Sequence, residues 1–283
     1  MSAQPQNYTQ GHHRAVTANH ATRRAEVEGA FVLPHLKPDH HILDVGCGPG
    51  TISTSFAKYV PSGTVTGIDL TPEVIQQARE LLSHQSPQPT NVTFSTGNVL
   101  AGLPFADASF DVVFCHQVLN HIHDPVAALR EMKRVCKPGG VVAAREGDFP
   151  FRWVPYLPGI QLFQKYLYEM VMGPTDHAHP DSPPHPPGHR SGSLTHVWAR
   201  QAGFDPLKIE KGASVQLYRT PEERKPYCEL MTGRLVAGGH KDLYMKLGAS
   251  EQDIEMMITD FKRWADDVDG WHAILQCETI CRA

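Results

Sequence analysis

The sequence predicts an α/β fold built on a mostly parallel sheet, with the last strand antiparallel and helical insertions over one end. Three observations carry this. Short β-branched apolar runs alternate with stretches of helical period, a glycine-rich turn follows the first of those runs, and the alternation breaks after residue 147. With 283 residues and 41% apolar content, the chain can build a sizeable buried core.

The elements follow in order. Residues 1–20 carry no core-building pattern and read as an N-terminal arm ahead of a helix over 21–36, which Pro34 and Pro38 stop. His41 to Val45 reads as the first strand, glycines 46, 48 and 50 as a tight turn, Thr51 to Tyr59 as a helix, and Thr64 to Asp69 as the second strand. A helix over Pro72 to Ser83, strands near Val92 to Ser95 and at Phe110 to Cys115, and a helix from Pro125 to Cys136 continue the alternation. Lys137-Pro138-Gly139-Gly140 breaks that helix before a strand at Val141 to Arg145. Such βα units imply parallel strands with helices on both faces.

After Gly147 the aromatic segment Phe149 to Met172 reads as helical, and the Pro/His-rich stretch Gly173 to Arg190 as a loop, making 149–192 one insertion. A helix (Ser193 to Ala202) and a strand (Pro206 to Tyr218, broken at Gly212) follow. Residues 220–268 form a second insertion, with helices near Pro221 to Val236 and Glu251 to Val268. The closing run Trp271 to Cys277 is placed antiparallel at the sheet edge. The chain from 21 to 283 therefore reads as a single domain.

A formal charge of -4 with mixed signs provides no basic stripe for nucleic acid or an anionic membrane, which favours a small-molecule partner. None of the six cysteines forms a C-x-x-C pair, so a reducing, cytoplasmic setting without disulfides is expected. No segment has the apolar length to span a bilayer. His177, His179, His185 and His189 suggest a metal at first sight. The prolines between them hold that stretch extended, no cysteine completes a ligand set, and no metal is expected.

The turn Asp44-Val45-Gly46-Cys47-Gly48-Pro49-Gly50 has the spacing G-x-G-x-G. A P-loop would need Lys-Ser/Thr at its end, and a dinucleotide turn would need its third glycine where Thr51 stands. The spacing suits close backbone approach to an uncharged ribose and an amino-acid moiety. Asp69, ending the second strand, is placed to accept ribose hydroxyls.

Together with this turn, Gly67-Ile68-Asp69-Leu70, Leu103-Pro104-Phe105, Phe110-Asp111-Val112-Val113 and Val135-Cys136-Lys137-Pro138-Gly139-Gly140 resemble the successive motifs of class I S-adenosylmethionine (SAM)-dependent methyltransferases of the ubiquinone/menaquinone type. The resemblance spans about residues 22–147 and implies a Rossmann-like class I sheet with SAM as cofactor. By position it implies cofactor contacts from Asp44, Gly46, Cys47 and Gly48, then Asp69 and Leu70, then Asn98 and Val99, with Cys115 and His116 facing the methionine end. Asn98 stands where the family often has aspartate, which leaves its carbonyl oxygen for the adenine amine. Asn7 to His13, Cys115 to Ile122, Arg145 to Asp148, Asp269 to Trp271 and Gln276 to Glu278 are similar to fungal methyltransferases of secondary metabolism, the gliotoxin thiol methyltransferases among them.

That resemblance implies methyl transfer to a small, largely apolar acceptor, a thiol foremost, with nitrogen or oxygen of another metabolite as alternatives. A SAM-binding regulator without catalysis and an NAD-dependent oxidoreductase are the competing classes. The candidate bases are His116 and His121 after the fourth strand and Asp148 after the fifth, where ligands of open α/β sheets bind. Each has a plainer role open to it: a SAM contact for His116, a turn for His121, a helix cap for Asp148. The two insertions are expected to cap the acceptor side, their aromatic residues lining an apolar pocket. The arm, with Tyr8 touching the cofactor, is expected to act as a lid.

Overall fold

The computed structural model describes residues 23–172, 192–236 and 239–283. An eight-stranded sheet runs through it: β1 (His41–Val45), β2 (Thr64–Asp69), β3 (Val92–Thr96), β4 (Phe110–His116), β5 (Cys136–Gly147), β6 (Arg152–Val154), β7 (Ile209–Tyr218) and β8 (Trp271–Arg282). The order is β3-β2-β1-β4-β5-β8-β6, with β7 on the other side of β8. Strands β1 to β5 pair parallel, while β8 runs antiparallel to β5, β6 and β7.

The central strands are apolar on both faces, as a doubly covered parallel sheet requires. Ile42, Val112, Phe114, Val141 and Ala143 pack to one side, beneath α1 (Ala25–Glu28), α2 (Thr51–Phe56) and α3 (Pro72–Ser83). Leu43, Val113, Cys115, Val142 and Ala144 pack to the other, beneath α4 (Pro125–Val135) and α6 (Thr195–Gln201). Pro125 occupies the first turn of α4, and the Asp124 side chain accepts from the Ala127 N–H at 2.8 Å, so this helix starts where its cap dictates. A third core joins β6 to α5 (Pro158–Met172), α7 (Pro221–Val236), α8 (His240–Lys246) and α9 (Glu251–Asp266) around Trp153, Phe163, Tyr244, Phe261 and Trp264.

Several expectations are corrected. The helix expected over 21–36 is, among described residues, the single turn α1 followed by a 3-10 turn at Leu33–His35. Gly29 packs so close to Phe56 that a Cβ would lie 2.6 Å from the ring, and Pro34 sits in the next turn. Helix 51–59 tightens to 3-10 from Ala57. Segment 149–172 is not wholly helical, because Arg152 to Val154 add to β8 before α5 begins. Strand β7 is continuous through Gly212, which pairs with Glu278.

The closing strand is not at an edge. It extends to Arg282 and lies between β5 and β7, because Ala273, Ile274, Ile280 and Cys281 are buried. The short helix α8 has no counterpart among the sequence-based expectations. No helix among the described residues is long and apolar enough to cross a membrane.

Candidate functional site

The turn after β1 gathers the first group of residues. Gly46, Gly48 and Gly50 have φ of 70°, 54° and 78°, the left-handed region that costs glycine least. The Gly46 and Cys47 N–H groups both donate to the Ile68 carbonyl, at 2.8 and 2.9 Å, which ties the turn to the end of β2. Asp69 completes the tie: its carboxylate accepts from the Gly48 N–H at 3.1 Å and from the Thr71 N–H at 3.2 Å. Beside it Leu70 is 44% exposed, an apolar side chain left uncovered at the strand end. Asp44 lies beneath the turn, buried, and accepts from the Ser53 hydroxyl at 2.5 Å. Burial pushes its carboxyl up to about 7; the Ser53 bond opposes that rise and the charge on Asp69 adds to it.

The remaining expected cofactor contacts are more constrained. The Cys47 side chain points into the core, where burial and then the carboxylates of Asp44 and Asp69 hold its thiol well above the usual range. The thiol also donates to the Gly48 carbonyl at 3.6 Å. Cys115 is fully buried beneath α4, so the expectation that it faces the methionine end is corrected for its side chain, since position 115 alternates inward on β4. Val99 also belongs to that core. Asn98 folds its carbonyl oxygen back to accept from the Leu100 N–H at 2.9 Å, so the lone pair expected for an adenine amine is shared with the backbone. Tyr8, the arm 1–20 and the four loop histidines lie outside the described residues.

The three candidate bases part company. His116 is 6% exposed, and its Nε2 lies 3.0 Å from a guanidinium nitrogen of Arg145, itself buried and bonded to Ser214 and Glu278. Arginine only donates, so Nε2 accepts this bond. His116 is thus part of a buried clamp between β4, β5 and β7 and is not among the residues lining the pocket described below. The Asp148 carboxylate accepts from the Ser193 N–H and hydroxyl at 3.2 and 3.1 Å, at the turn Gly192–Leu194, and Asp148 is not among the residues lining the pocket described below. His121 is different. It ends a 3-10 turn, Leu119–His121, and lines a pocket.

That pocket opens over the ends of β4 and β5. Its apolar wall comes from Phe149, Phe151, Leu167, Leu230, Met231 and Ile274, and Tyr218 and Tyr227 complete it. Its polar floor is a chain of amides. Gln117 donates to Gln276 at 2.6 Å, Gln276 to Gln216 at 3.3 Å, and Gln216 to the Tyr218 hydroxyl at 2.6 Å. Gln117 holds φ of 57°, unusual for a residue with a side chain, and its N–H is anchored on the Arg145 carbonyl. Glu146 fastens the same turn from below, accepting from the Val118, Leu119 and Asn120 N–H groups at 2.9, 2.8 and 3.4 Å. Burial lifts its carboxyl to about 7 against those three bonds.

Sequence reasoning quoted Gln117, Asn120, Glu146 and Gln276 only within segments of resemblance and gave them no role, and it passed over Gln216. The two outer glutamines, on β7 and β8, stand at alternate-residue spacing with Tyr218 and Ile274, which was the available signal. No group of acids, cysteines and histidines able to hold a metal occurs among the described residues.

Residues 36–171 match the family described as "Methyltransferase domain". A probable methyltransferase of Aspergillus luteorubrus, ltbC, is 32% identical, with 99% of this chain and 98% of that protein aligned. The chain belongs to the SAM-dependent methyltransferases. An uncharacterized methyltransferase of Schizosaccharomyces pombe, also 32% identical, aligns over 93% of this chain and 91% of its own. Among solved structures, a putative methyltransferase from Bacillus halodurans shares the fold at a TM-score of 0.55 and 17% identity, covering 90% of this chain and 96% of that one. This methyltransferase is thus an enzyme with SAM as its cofactor. Its residues fit that group: a three-glycine turn, a carboxylate facing it, an exposed leucine alongside, and no basic residue on the turn to pair a pyrophosphate.

Proposed function

We propose that the enzyme methylates a small, largely apolar metabolite on sulfur, as in fungal secondary metabolism, with the acceptor in the pocket over β4 and β5. SAM supplies a methyl group on a sulfonium. The protein's own contribution is alignment: the turn 46–48 and Asp69 hold the cofactor's amino-acid and ribose portions, Leu70, Asn98 and Val99 border the adenine, and the two insertions cap the acceptor. Positioning of this kind is worth roughly 7–11 kcal/mol at best.

One observation supports sulfur most strongly. No carboxylate occurs among the described residues that line the pocket, and Asp148 and His116 are engaged elsewhere. Apart from His121 the described lining offers an acceptor no base, which suits a thiol of pKa about 8.5 far better than an alcohol. His121 in the lining favours a second reading, oxygen methylation with that imidazole as base.

A mass-spectrometric screen of thiol, amine and hydroxyl compounds with SAM separates these readings. Thiols should gain a methyl mass fastest, at a rate rising with pH toward the thiol's own pKa. Loss of that activity in His121→Ala for hydroxyl acceptors alone would establish the second reading. SAM binding with no product from any class would establish a non-catalytic regulator instead.

A further inference from the structure

The turn that follows β4 does not hold itself in place. Its N-cap, Val118, has no side chain able to accept a hydrogen bond, and Gln117 before it stands at φ of 57°, where a residue with a side chain is uncommon. The first N–H groups of a helical turn have no partner within it. Glu146 supplies one from β5. Its carboxylate, wholly buried, accepts from Val118 and Leu119 on Oε1 at 2.9 and 2.8 Å, and from Asn120 on Oε2 at 3.4 Å. A contact between two strand ends, and not the local sequence, therefore sets where Val118 stands.

What Val118 touches gives that contact its consequence. A Cβ on Gly46 would lie 2.4 Å from one Val118 methyl and 3.4 Å from the other, so the Val118 side chain fills the space beside this glycine. Gly46 opens the turn after β1 at φ of 70°. We infer that Glu146 is a positioning residue for the cofactor: through the N–H groups of 118–120 it keeps Val118 against Gly46, and so keeps the glycine turn in the shape that binds SAM. The inference rests on that turn being the cofactor's site. Glu146 acts at one remove, by way of Val118.

Affinity for S-adenosylhomocysteine, measured by calorimetry on the full chain, reads this without any acceptor. The measurement is made at pH 8, above the value of about 7 to which burial lifts the Glu146 carboxyl, so that the carboxylate is charged. Glu146→Asp keeps the charge but draws the oxygens back by one methylene, and should weaken binding about tenfold. Glu146→Gln keeps the reach and a carbonyl oxygen able to accept from both Val118 and Leu119, and should stay within about threefold of wild type. Val118→Ala should weaken binding about as much as Glu146→Asp, and in the double variant the second change should add less than about twofold. A residue that served only the stability of the fold would show the same factor in either background. Unchanged affinity in Glu146→Asp or in Val118→Ala, a loss in Glu146→Gln as large as in Glu146→Asp, or a Glu146→Asp effect undiminished by Val118→Ala would each overturn the inference. Asp69→Ala, measured alongside, separates this from the assignment of the turn. Affinity lost there but kept in Glu146→Asp removes the positioning role alone, while full affinity in both removes the cofactor assignment and the inference with it.

Discussion

The two ends of the site are built from different materials. Around residues 44–70 the geometry is made by main chain: three glycines at positive φ, backbone N–H groups on the Ile68 carbonyl, and Asp69 closing the turn. Around the pocket it is made by side chains from distant segments, Gln117, Gln216 and Gln276 touching across 60 to 159 residues of sequence. A backbone-built end has little freedom to vary, because its determinants are conformational. A side-chain-built end can change its ligand one substitution at a time while the sheet beneath stays the same.

The largest effect expected from that contrast is at Asp69. Asp69→Ala removes a carboxylate able to make two charge-assisted bonds to a ribose, each worth about 1.5–3 kcal/mol, so SAM affinity should fall on the order of 10²- to 10⁴-fold in a folded protein. Calorimetry showing affinity within threefold of wild type would break the assignment of this end to the cofactor.

Next in size is a pH effect from the same end. Asp44 keeps its proton to about 7 in the native state but only to about 3.8 in an ordinary setting. Between those values the native state binds more protons than the unfolded one, so this group makes stability fall as pH rises, by about 4 kcal/mol over the whole span. Asp44→Asn cannot titrate. The variant should therefore gain on the wild type steadily from pH 4 to pH 7 in denaturant melts, and parallel curves would show that Asp44 ionises normally.

Gly46 joins the two ends. A Cβ there would stand 2.4 Å from a Val118 methyl, in the turn that carries Asn120 and His121. Gly46→Ala should cost about 1–3 kcal/mol and weaken cofactor and acceptor together. Gly139, with φ of 78° and nothing within 4 Å of the place a Cβ would take, is the control for backbone strain alone. Equal losses in the two alanine variants, read by thermal melts, would show that contact with Val118 is immaterial.

The smallest effect is at Asp148. Since its carboxylate serves Ser193, Asp148→Asn should leave turnover within about threefold and shift stability by about 1 kcal/mol. Abolished turnover with intact SAM binding would return Asp148 to the catalytic role.

The same contrast governs what could be read in the sequence. Strands β1, β2 and β4, the helices after them and the glycine turn announce themselves by local signals: Pro72 and Pro125 at helix starts, β-branched runs, glycine spacing. Asp69 followed from its place at the end of β2. Where a role depends on what a side chain meets across the fold, local pattern was insufficient. Nothing near His116 signals that Arg145 would occupy its ring nitrogen, and nothing near Asp148 signals Ser193. The interior place of β8 was hidden for a related reason: only its first seven residues look like a strand, while Glu278 and Arg282 mask the apolar Ile280 and Cys281 between them.

The position of β8 also bears on biosynthesis. It is threaded into the middle of the sheet although it is translated after every other element described. Until it emerges, residues 141–147 of β5 and the whole of β7 present unpaired strand edges, and Val141 to Ala144 make the former strongly apolar. A nascent chain in that state is a template for pairing with another copy. Ribosome stalling or premature termination shortly before residue 271 should therefore produce aggregates rather than a soluble fragment lacking one strand.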